Sequence, residues 1–242
     1  MTGERRTRRG GRTAPEARAQ TRVEILEAAA EAIARRGFWG MSMRDLAKHM
    51  GRGLASFYNY FSSKEDVLFA LQQGAFEALI ARAEQGVAAV PSPAGRLHAL
   101  ILNHVQYVAE HPYVMRVLVH EAGALPPARR RAVRVLKEKY FDIGLGIVRD
   151  ILHEAAGTPP PALEIERAAY SVFGMINWVW GWYEPDRHGS AEDVARTISR
   201  VALSGLVGTA RHAGMQEAVE KKLVKVERRP LITSQPHAQG GG

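Results

Sequence analysis

GRGLASFYNYFSSKED, residues 51–66, is the stretch that decides how this chain folds. It places four aromatic residues within five positions, although aromatic residues make up only 7% of the 242-residue chain. A strand would divide these aromatics between two faces, because its side chains alternate. Helical spacing instead gathers an apolar face, Leu54, Phe57, Tyr58 and Phe61. It turns outward a small, hydrogen-bonding set, Ala55, Ser56, Asn59 and Tyr60. The segment is therefore predicted to begin with a short helix that has one buried and one polar face.

Two helices are predicted before this segment. Apolar residues recur at three- and four-residue steps from about Pro15 to Gly37, namely Val23, Leu26, Ala30 and Ile33. Ser42 and Asp45 then have the spacing of a capping box, which opens a second, short helix. Glycines at positions 51 and 53 end that helix and set the third at an angle to it. Two short helices joined by a glycine turn are the sequence form of a helix-turn-helix, whose second helix enters the DNA major groove.

The composition restricts the remaining possibilities. With 46% hydrophobic and 24% charged residues, the chain has enough apolar material for one or two helical domains. It has no cysteine, which excludes disulfides, thiolate nucleophiles and cysteine metal sites. The longest apolar stretch, Tyr170–Tyr183, is shorter than the ~20 residues that span a bilayer. We expect a soluble, cytoplasmic protein without a metal, a cofactor or a membrane partner.

The net charge of +8 is concentrated at the N-terminus. The first 22 residues contain a cluster of arginines against only two glutamates, and these arginines are Arg5, Arg6, Arg8, Arg9, Arg12, Arg18 and Arg22. Such an arm attracts polyanions such as DNA. The alternative is a solvated tail without a partner.

Residues 38–65 resemble the DNA-binding domain of TetR-family transcriptional regulators. The resemblance rests on SMRDLA at 42–47, the glycine turn, FYNYF at 57–61 and SKE at 63–65, all at fixed spacing. One departure is visible, because the family usually has a hydrophobic residue and a Ser or Thr cap where this chain has Arg52 and Gly53. Glycine can also serve as an N-cap, so we expect the third helix to form with a weaker start.

The resemblance assigns roles to individual residues. It implies that Tyr58 and Tyr60 contact the DNA backbone and that Lys64 binds a phosphate. Tyr58 could instead be a half-buried packing ring. Among the outward residues of the third helix, only Ser56 and Asn59 can form hydrogen bonds with base edges. The complete predicted DNA-binding set is Ser42, Arg44, Gly53, Leu54, Ala55, Ser56, Tyr58, Asn59, Tyr60, Lys64, Arg5, Arg6, Arg8 and Arg9.

The rest of the chain is predicted to be helical, giving an all-α protein of about nine helices. Proline-containing breaks separate the later helices, and Ser190 and Asp193 form another capping box before the last one. The predicted units are a basic arm at 1–14, a helix-turn-helix domain at 15–62, a ligand-binding and dimerisation domain at 63–214 and a poorly ordered tail at 215–242.

The helix around Tyr170–Trp182 is apolar on nearly all sides, so it must be covered on two sides. The last helix has small residues that allow close approach of another helix. Two such helices from each of two subunits would form a four-helix dimer interface, as the resemblance also implies. The alternative is a monomer that buries this helix in its own core. The predicted interface residues are Val172, Met175, Val179, Trp182, Val194, Ile198, Val201 and Gly205.

An effector site is predicted between the helices of the second domain. Asn177 is predicted to lie on a buried face, where an amide needs a partner from the protein, water or a ligand. The predicted lining is Phe76, Leu79, His104, Tyr107, Met115, Tyr170, Phe173, Asn177 and Trp180, with Arg130 and Arg134 for a phosphate group. The segment NWVWGWYEPDRHGSAEDVA, residues 177–195, resembles TetR-family members that control fatty-acid or steroid catabolism in response to acyl-CoA thioesters. The alternatives are a different apolar effector, as in a regulator of efflux or drug response, and a solvated face for the arginine run.

Enzymatic and membrane-surface functions are not favoured. The sequence has no P-loop, no His-Glu-x-x-His pair and no Gly-x-Ser-x-Gly elbow, so no catalytic residue is predicted. A membrane-surface helix would need a strongly basic polar face, whereas the first helix carries Glu24, Glu27 and Glu31 there. The sequence therefore predicts a homodimeric regulator, most simply a repressor, whose partners are double-stranded operator DNA and a small apolar effector.

Overall fold

A computed structural model describes residues 13–211, with side chains to residue 208. The described residues form ten α-helices and no strand, which confirms the all-α prediction. The helices are α1 Ala14–Arg36, α2 Met43–His49, α3 Leu54–Tyr58, α4 Lys64–Ala88, α5 Pro93–Glu110, α6 Pro112–His120, α7 Pro127–Ala156, α8 Ala162–Asn177, α9 Pro185–His188 and α10 Ala191–Arg211. A single 3₁₀ turn, Val179–Gly181, follows α8.

The ends of the first three helices follow from local chemistry. Thr13 and Glu16 form a capping box at the start of α1, and Ser42 and Asp45 form another at the start of α2. Gly37 stops α1 with φ of 74°, a backbone conformation that favours glycine. The helix α3 has Gly53 as its N-cap and therefore no side-chain cap, as the sequence indicated.

A separate hydrophobic core holds the helix-turn-helix together. Ile25 of α1, Leu46 of α2 and Phe57 of α3 are almost completely buried in it, together with Phe38 and Leu68. Because α3 has only five residues, it cannot be stable alone, and this packing fixes its orientation.

The second core lies in the C-terminal bundle. The helix α5 is its centre, since it packs against α4, α7 and α10. Leu97, Leu100, Ile101 and Val105 of α5 are completely buried there. The helix α4 belongs to both cores, because its first turns pack with the helix-turn-helix and its later turns with the bundle.

The predicted count of about nine helices agrees with the ten of the described residues, the additional one being the four-residue helix α9 that the proline at 185 opens. One expectation about the helices was wrong. The helix α8 ends at Asn177 instead of continuing to Trp182, and the chain turns there through the 3₁₀ segment.

Within residues 13–211, no helix is long and apolar enough to cross a membrane.

Candidate DNA-binding face and effector site

The recognition helix α3 presents a small polar surface. Phe57 has no exposed surface and Phe61 only 4%, and their ring centroids lie 6.3 Å apart beneath the helix. Ala55, Ser56 and Asn59 are exposed on the opposite side. The Tyr58 side chain is also 49% exposed, so about half of its surface is open to solvent on this side. The hydroxyl and amide groups of this face are therefore available to DNA.

Two arginine contacts that the sequence analysis did not identify fasten α3 to α1. Arg52 in the turn pairs with Glu24 of α1 at 3.2 Å, and Arg18 of α1 donates to the Asn59 backbone carbonyl at 3.2 Å. The Arg18 guanidinium also lies 5.8 Å from the centroid of the Tyr60 ring. These contacts explain why a charged residue is suitable in the turn, where the resembled family usually has a hydrophobic one. The sequence indicated the pair of Arg52 and Glu24 only through the opposite charges of these two residues.

Lys64 lies at the edge of the same face, at the start of α4. Its ammonium donates to the Phe38 carbonyl at 3.4 Å and to the Met41 carbonyl at 3.3 Å. It also lies 4.6 Å from the Phe38 ring centroid and 5.1 Å from that of Trp39. The lysine therefore ties the α1–α2 loop to α4, and its positive charge remains close to the surface.

The remaining predicted residues of the face lie at the start of α2 and at the start of α3. Ser42 donates to the Asp45 carboxylate at 2.5 Å, and this side-chain bond is the main cause that lowers the pKa of Asp45. Arg44 and Gly53 are exposed, whereas Leu54 is half-buried. The predicted arm residues Arg5, Arg6, Arg8 and Arg9 lie outside the described residues.

The interior of the bundle contains most of the predicted effector-lining residues. His104, Tyr107, Leu79, Met115 and Phe173 are buried in the second core or directly beside it. Phe76 and Trp180 are half-buried against the same core. Burial also raises the pKa of the Tyr107 hydroxyl to about 12. The structure thus gathers seven of the predicted side chains in or around one apolar core.

Tyr170 and Asn177 were wrongly assigned to this interior. Tyr170 is 60% exposed and Asn177 is exposed at the C-terminal end of α8, so both lie on the outer surface. The helix is apolar on several sides, and the sequence did not show which side the neighbouring helices cover.

His104 is the most unusual polar group of the interior. Its Nδ1 lies 3.0 Å from the Tyr140 hydroxyl, while its Nε2 is buried without a hydrogen-bond partner. Burial lowers the pKa of His104 to about 4, so the imidazole is neutral at neutral pH. The Tyr140 ring in turn meets the Phe173 ring edge to face, at 5.6 Å between centroids.

The arginine run at the start of α7 is divided between two environments. Arg130 and Arg134 are exposed. The neighbouring Arg129 forms an ion pair with Asp66 at the start of α4. Partial burial opposes ionisation of Asp66, but hydrogen bonds from Arg129 and Ser63 hold its pKa below the usual value.

The outer face of α8 and α10 carries exposed apolar side chains. Trp178 is 61% exposed, Val201 59% and Trp182 37%. A surface cavity of about 350 Å³ between α7, α8 and α10 lies on this face, and its lining includes Met175, Val201 and Gly205. Ile198 lines a neighbouring cavity with Met175 and Trp182.

Two of the predicted interface residues do not belong to this outer face. Val179 and Val194 have 6% or less of their surface exposed and pack in the core of their own chain. They are therefore not interface contacts. Val172 is only 2% exposed, but it lines the cavity on this face together with Met175 and Val201.

Hydrogen bonds at α6 join the helix-turn-helix to the C-terminal bundle. The Phe38 backbone N–H, just after α1, donates to Glu121 Oε1 at 3.0 Å, and Glu121 caps the end of α6. The Gln72 side chain of α4 is 1% exposed and donates to the Glu121 carbonyl at 3.1 Å. Arg35 of α1 donates to the Tyr113 hydroxyl of α6 at 2.9 Å. The bundle and the helix-turn-helix therefore share specific contacts through α6.

Comparison with known proteins gives consistent results. Residues 25–71 match the model of bacterial regulatory proteins of the tetR family, and residues 90–206 match that of the tetracyclin repressor-like C-terminal domain. The HTH-type transcriptional repressor KstR2 of Mycobacterium tuberculosis is 26% identical over 76% of this chain and 92% of its own. The fatty acid metabolism regulator protein of Bacillus subtilis is 23% identical over 76% of this chain and 94% of its own.

A solved structure shows the same fold. The crystal structure of AibR in complex with isovaleryl coenzyme A and operator DNA superposes with a TM-score of 0.65 at 24% identity, covering 74% of this chain and 96% of that one. Its identity is low, so it is evidence for the fold alone. With an exposed recognition helix on a helix-turn-helix, an all-helical bundle behind it and both family domains matched, the chain belongs to the TetR family of transcriptional regulators.

Proposed function

We propose that this chain is a homodimeric repressor that binds a palindromic operator and leaves it when an acyl-CoA binds inside the bundle. The observation that carries the proposal is the exposed Ser56 and Asn59 surface of α3, held in place by the buried Phe57. A recognition helix needs such a rigid support, because its base contacts require a fixed orientation.

The DNA contacts divide into two kinds. Asn59 has the amide geometry that pairs with adenine through two hydrogen bonds, and Ser56 can bond to several bases. The hydroxyls of Tyr58 and Tyr60 and the charge of Lys64 suit phosphate oxygens, which position the protein without selecting a sequence. Arg44 beside the capped start of α2 adds a further exposed cation. This arrangement supports sequence-specific binding to double-stranded DNA.

A homodimer accounts for the outer face of α8 and α10. Its exposed tryptophans and Val201 form an apolar surface that one chain leaves uncovered. A single five-residue recognition helix also makes too few contacts for specific binding. Two such helices in a symmetric dimer reach half-sites about 34–36 Å apart on one face of DNA. We therefore assign this face to the second copy of the chain.

The acyl-CoA effector is supported by two features. The buried lining of leucine, methionine and aromatic side chains suits an acyl chain, since each buried methylene contributes about 0.8 kcal/mol. The exposed Arg130 and Arg134 provide cations for coenzyme A phosphates. The names of similar proteins support the same class, because one is a fatty acid metabolism regulator.

A DNA-release assay tests the proposal. The full-length protein is bound to DNA from upstream of its own gene and titrated with decanoyl-CoA and with free decanoate. We expect release by the CoA thioester at lower concentration, and loss of this preference in an Arg130→Gln, Arg134→Gln double variant. Arg149→Gln is the control, because Arg149 is an exposed arginine farther along α7. Release by neither compound, or equal release by both, would refute the acyl-CoA effector and favour another apolar compound.

A further inference from the structure

His104 Nε2 is a buried side-chain atom of α5 that has no hydrogen-bond partner among the described residues. Two buried side-chain atoms in the described part of the chain have no hydrogen-bond partner, and the other belongs to Arg96, which forms an ion pair with Asp150 at its guanidinium end. His104 is 1% exposed, and its ring lies among apolar side chains of the second core. A buried polar atom without a partner costs about 1–3 kcal/mol, so its retention requires an explanation.

The Tyr140 contact determines which nitrogen of His104 carries the hydrogen. If the Tyr140 hydroxyl donates to Nδ1, then Nδ1 is the acceptor and Nε2 bears the hydrogen. The opposite tautomer would also leave the buried Tyr140 hydroxyl hydrogen without an acceptor among the described residues. The first arrangement leaves fewer groups unsatisfied, so Nε2 is a hydrogen-bond donor. Because burial keeps the pKa of His104 low, this donor is uncharged at neutral pH.

The surroundings of His104 are apolar and closely packed, so an effector chain would take the place of part of this packing. Phe173 of α8 packs into the space left by Gly144 of α7, where an added Cβ would lie only 2.5 Å from the Phe173 ring. Leu100 of α5 lies on the same side, 3.2 Å from that position. These walls offer no charge, and the Tyr140 hydroxyl is already engaged. The site therefore combines apolar walls with a single neutral donor.

We propose that His104 Nε2 donates a hydrogen bond to the carbonyl oxygen of the effector, with Tyr140 holding the imidazole in the donating tautomer. The effector class is then an apolar chain with an uncharged carbonyl, such as the thioester of an acyl-CoA. A carboxylate is disfavoured, because none of the buried side chains in the described part of the chain is a lysine or arginine that could accompany the neutral imidazole. This inference rests on the proposed function and specifies how the bundle recognises its effector.

A matched pair of ligands tests the hydrogen bond directly. Decanoyl-CoA and its thioether analogue S-decyl-CoA differ only at the carbonyl, which is a methylene in the analogue. In calorimetric titrations of the full-length protein, we expect decanoyl-CoA to bind roughly tenfold more tightly, because the thioether leaves the buried donor unpaired. In His104→Leu, the two ligands should bind within about twofold of each other. His98→Leu is the control, because His98 lies on the same helix but bonds to Ser199 of α10.

A second variant covers the case in which His104→Leu does not fold. Tyr140→Phe keeps the ring but no longer selects the tautomer, so the preference for the carbonyl compound should decrease. An undiminished preference in either folded variant, or equal binding of both ligands by the natural chain, would overturn the role of His104 while leaving the acyl-CoA effector intact.

If neither CoA compound binds, the effector proposal fails, and thermal shifts with 2-tridecanone and tridecane decide the carbonyl role. If the ketone and the alkane raise the melting temperature by a similar amount, or if neither raises it, the proposed hydrogen bond from His104 is wrong.

Discussion

The backbone N–H of Phe38 donates to the carboxylate of Glu121 at 3.0 Å, and this bond joins the helix-turn-helix to the C-terminal bundle. Phe38 lies between α1 and α2, whereas Glu121 lies at the end of α6. The same Glu121 accepts from the buried Gln72 of α4 through its carbonyl. A movement of α6 would therefore act on both α1 and α4. We expect that effector binding changes the position of α3 through these contacts.

Removing this carboxylate should weaken the response to the effector. Glu121→Ala leaves the Phe38 N–H without its acceptor, which should lower the free energy of unfolding by about 1–3 kcal/mol. Effector binding measured by calorimetry should remain, while the concentration that releases DNA should rise. Glu121→Gln retains an oxygen acceptor and should behave almost like the natural chain. Normal release by a folded Glu121→Ala protein would show that the signal takes another route.

Lys64 should contribute to DNA affinity without selecting a sequence. Exchanging its two carbonyl contacts for a phosphate would release about one counterion, so Lys64→Ala should reduce the salt slope of binding by about one. Fluorescence-anisotropy titrations at several salt concentrations measure this slope. Lys48→Ala is a control on α2, because Lys48 is exposed near the helix end and is not assigned to DNA. If Lys64→Ala changes the base preference at one base pair of the operator, the proposed phosphate contact of Lys64 is contradicted.

A charge on the outer face of α10 should prevent dimerisation. Val201→Glu would bury a carboxylate in the proposed interface, which is costly without a partner. Size-exclusion chromatography with light scattering should then show monomers, and operator affinity should decrease. Val135→Glu is the matched control, since Val135 is 62% exposed on α7 and Val201 is 59% exposed. A dimer that persists in Val201→Glu would place the interface elsewhere.

Local patterns predicted the helix-turn-helix well, because caps and glycines act within a few residues. The capping box of Ser42 and Asp45, the stop at Gly37 and the burial of Phe57 are all of this kind. Contacts between distant residues were not predictable in the same way. The pairing of Arg52 with Glu24 joins positions 28 residues apart, and only the folded chain brings them together.

The bundle shows where sequence periodicity is insufficient. The apolar side chains of α8 occur on several of its faces, so periodicity alone did not show which face its own bundle covers. The exposure of Tyr170 and the burial of Val172 follow from packing against α7 and α10. His104 was identified as a polar residue on an apolar helix, but its bond to Tyr140, 36 residues away, required the structure.

Burial of neutral His104 should make stability depend on pH. Its pKa is lowered from 6.5 to about 4 in the folded chain, so the unfolded chain binds more protons between these values. The contribution of neutral His104 to the free energy of unfolding is then fully present above about pH 6.5, and it decreases as the pH falls towards about 4. At pH 5 the loss from this residue should be about 2 kcal/mol.

Denaturant titrations at pH 7.5 and pH 5 measure this loss. The natural chain should lose about 2 kcal/mol more than His104→Leu over this interval, because the other titrating groups are common to both proteins. An equal loss in the two proteins would mean that His104 titrates normally and is not buried as a neutral ring.

Selection of binding sites from a random DNA library tests the central claim, sequence-specific operator binding through α3, most directly. The natural chain should enrich an inverted repeat, with half-sites on one face of the DNA. Asn59→Ala should bind the same repeat but lose preference at one base pair in each half-site, at a cost of about 1–3 kcal/mol there. Enrichment of no repeat, or an unchanged base preference in Asn59→Ala, would contradict the account.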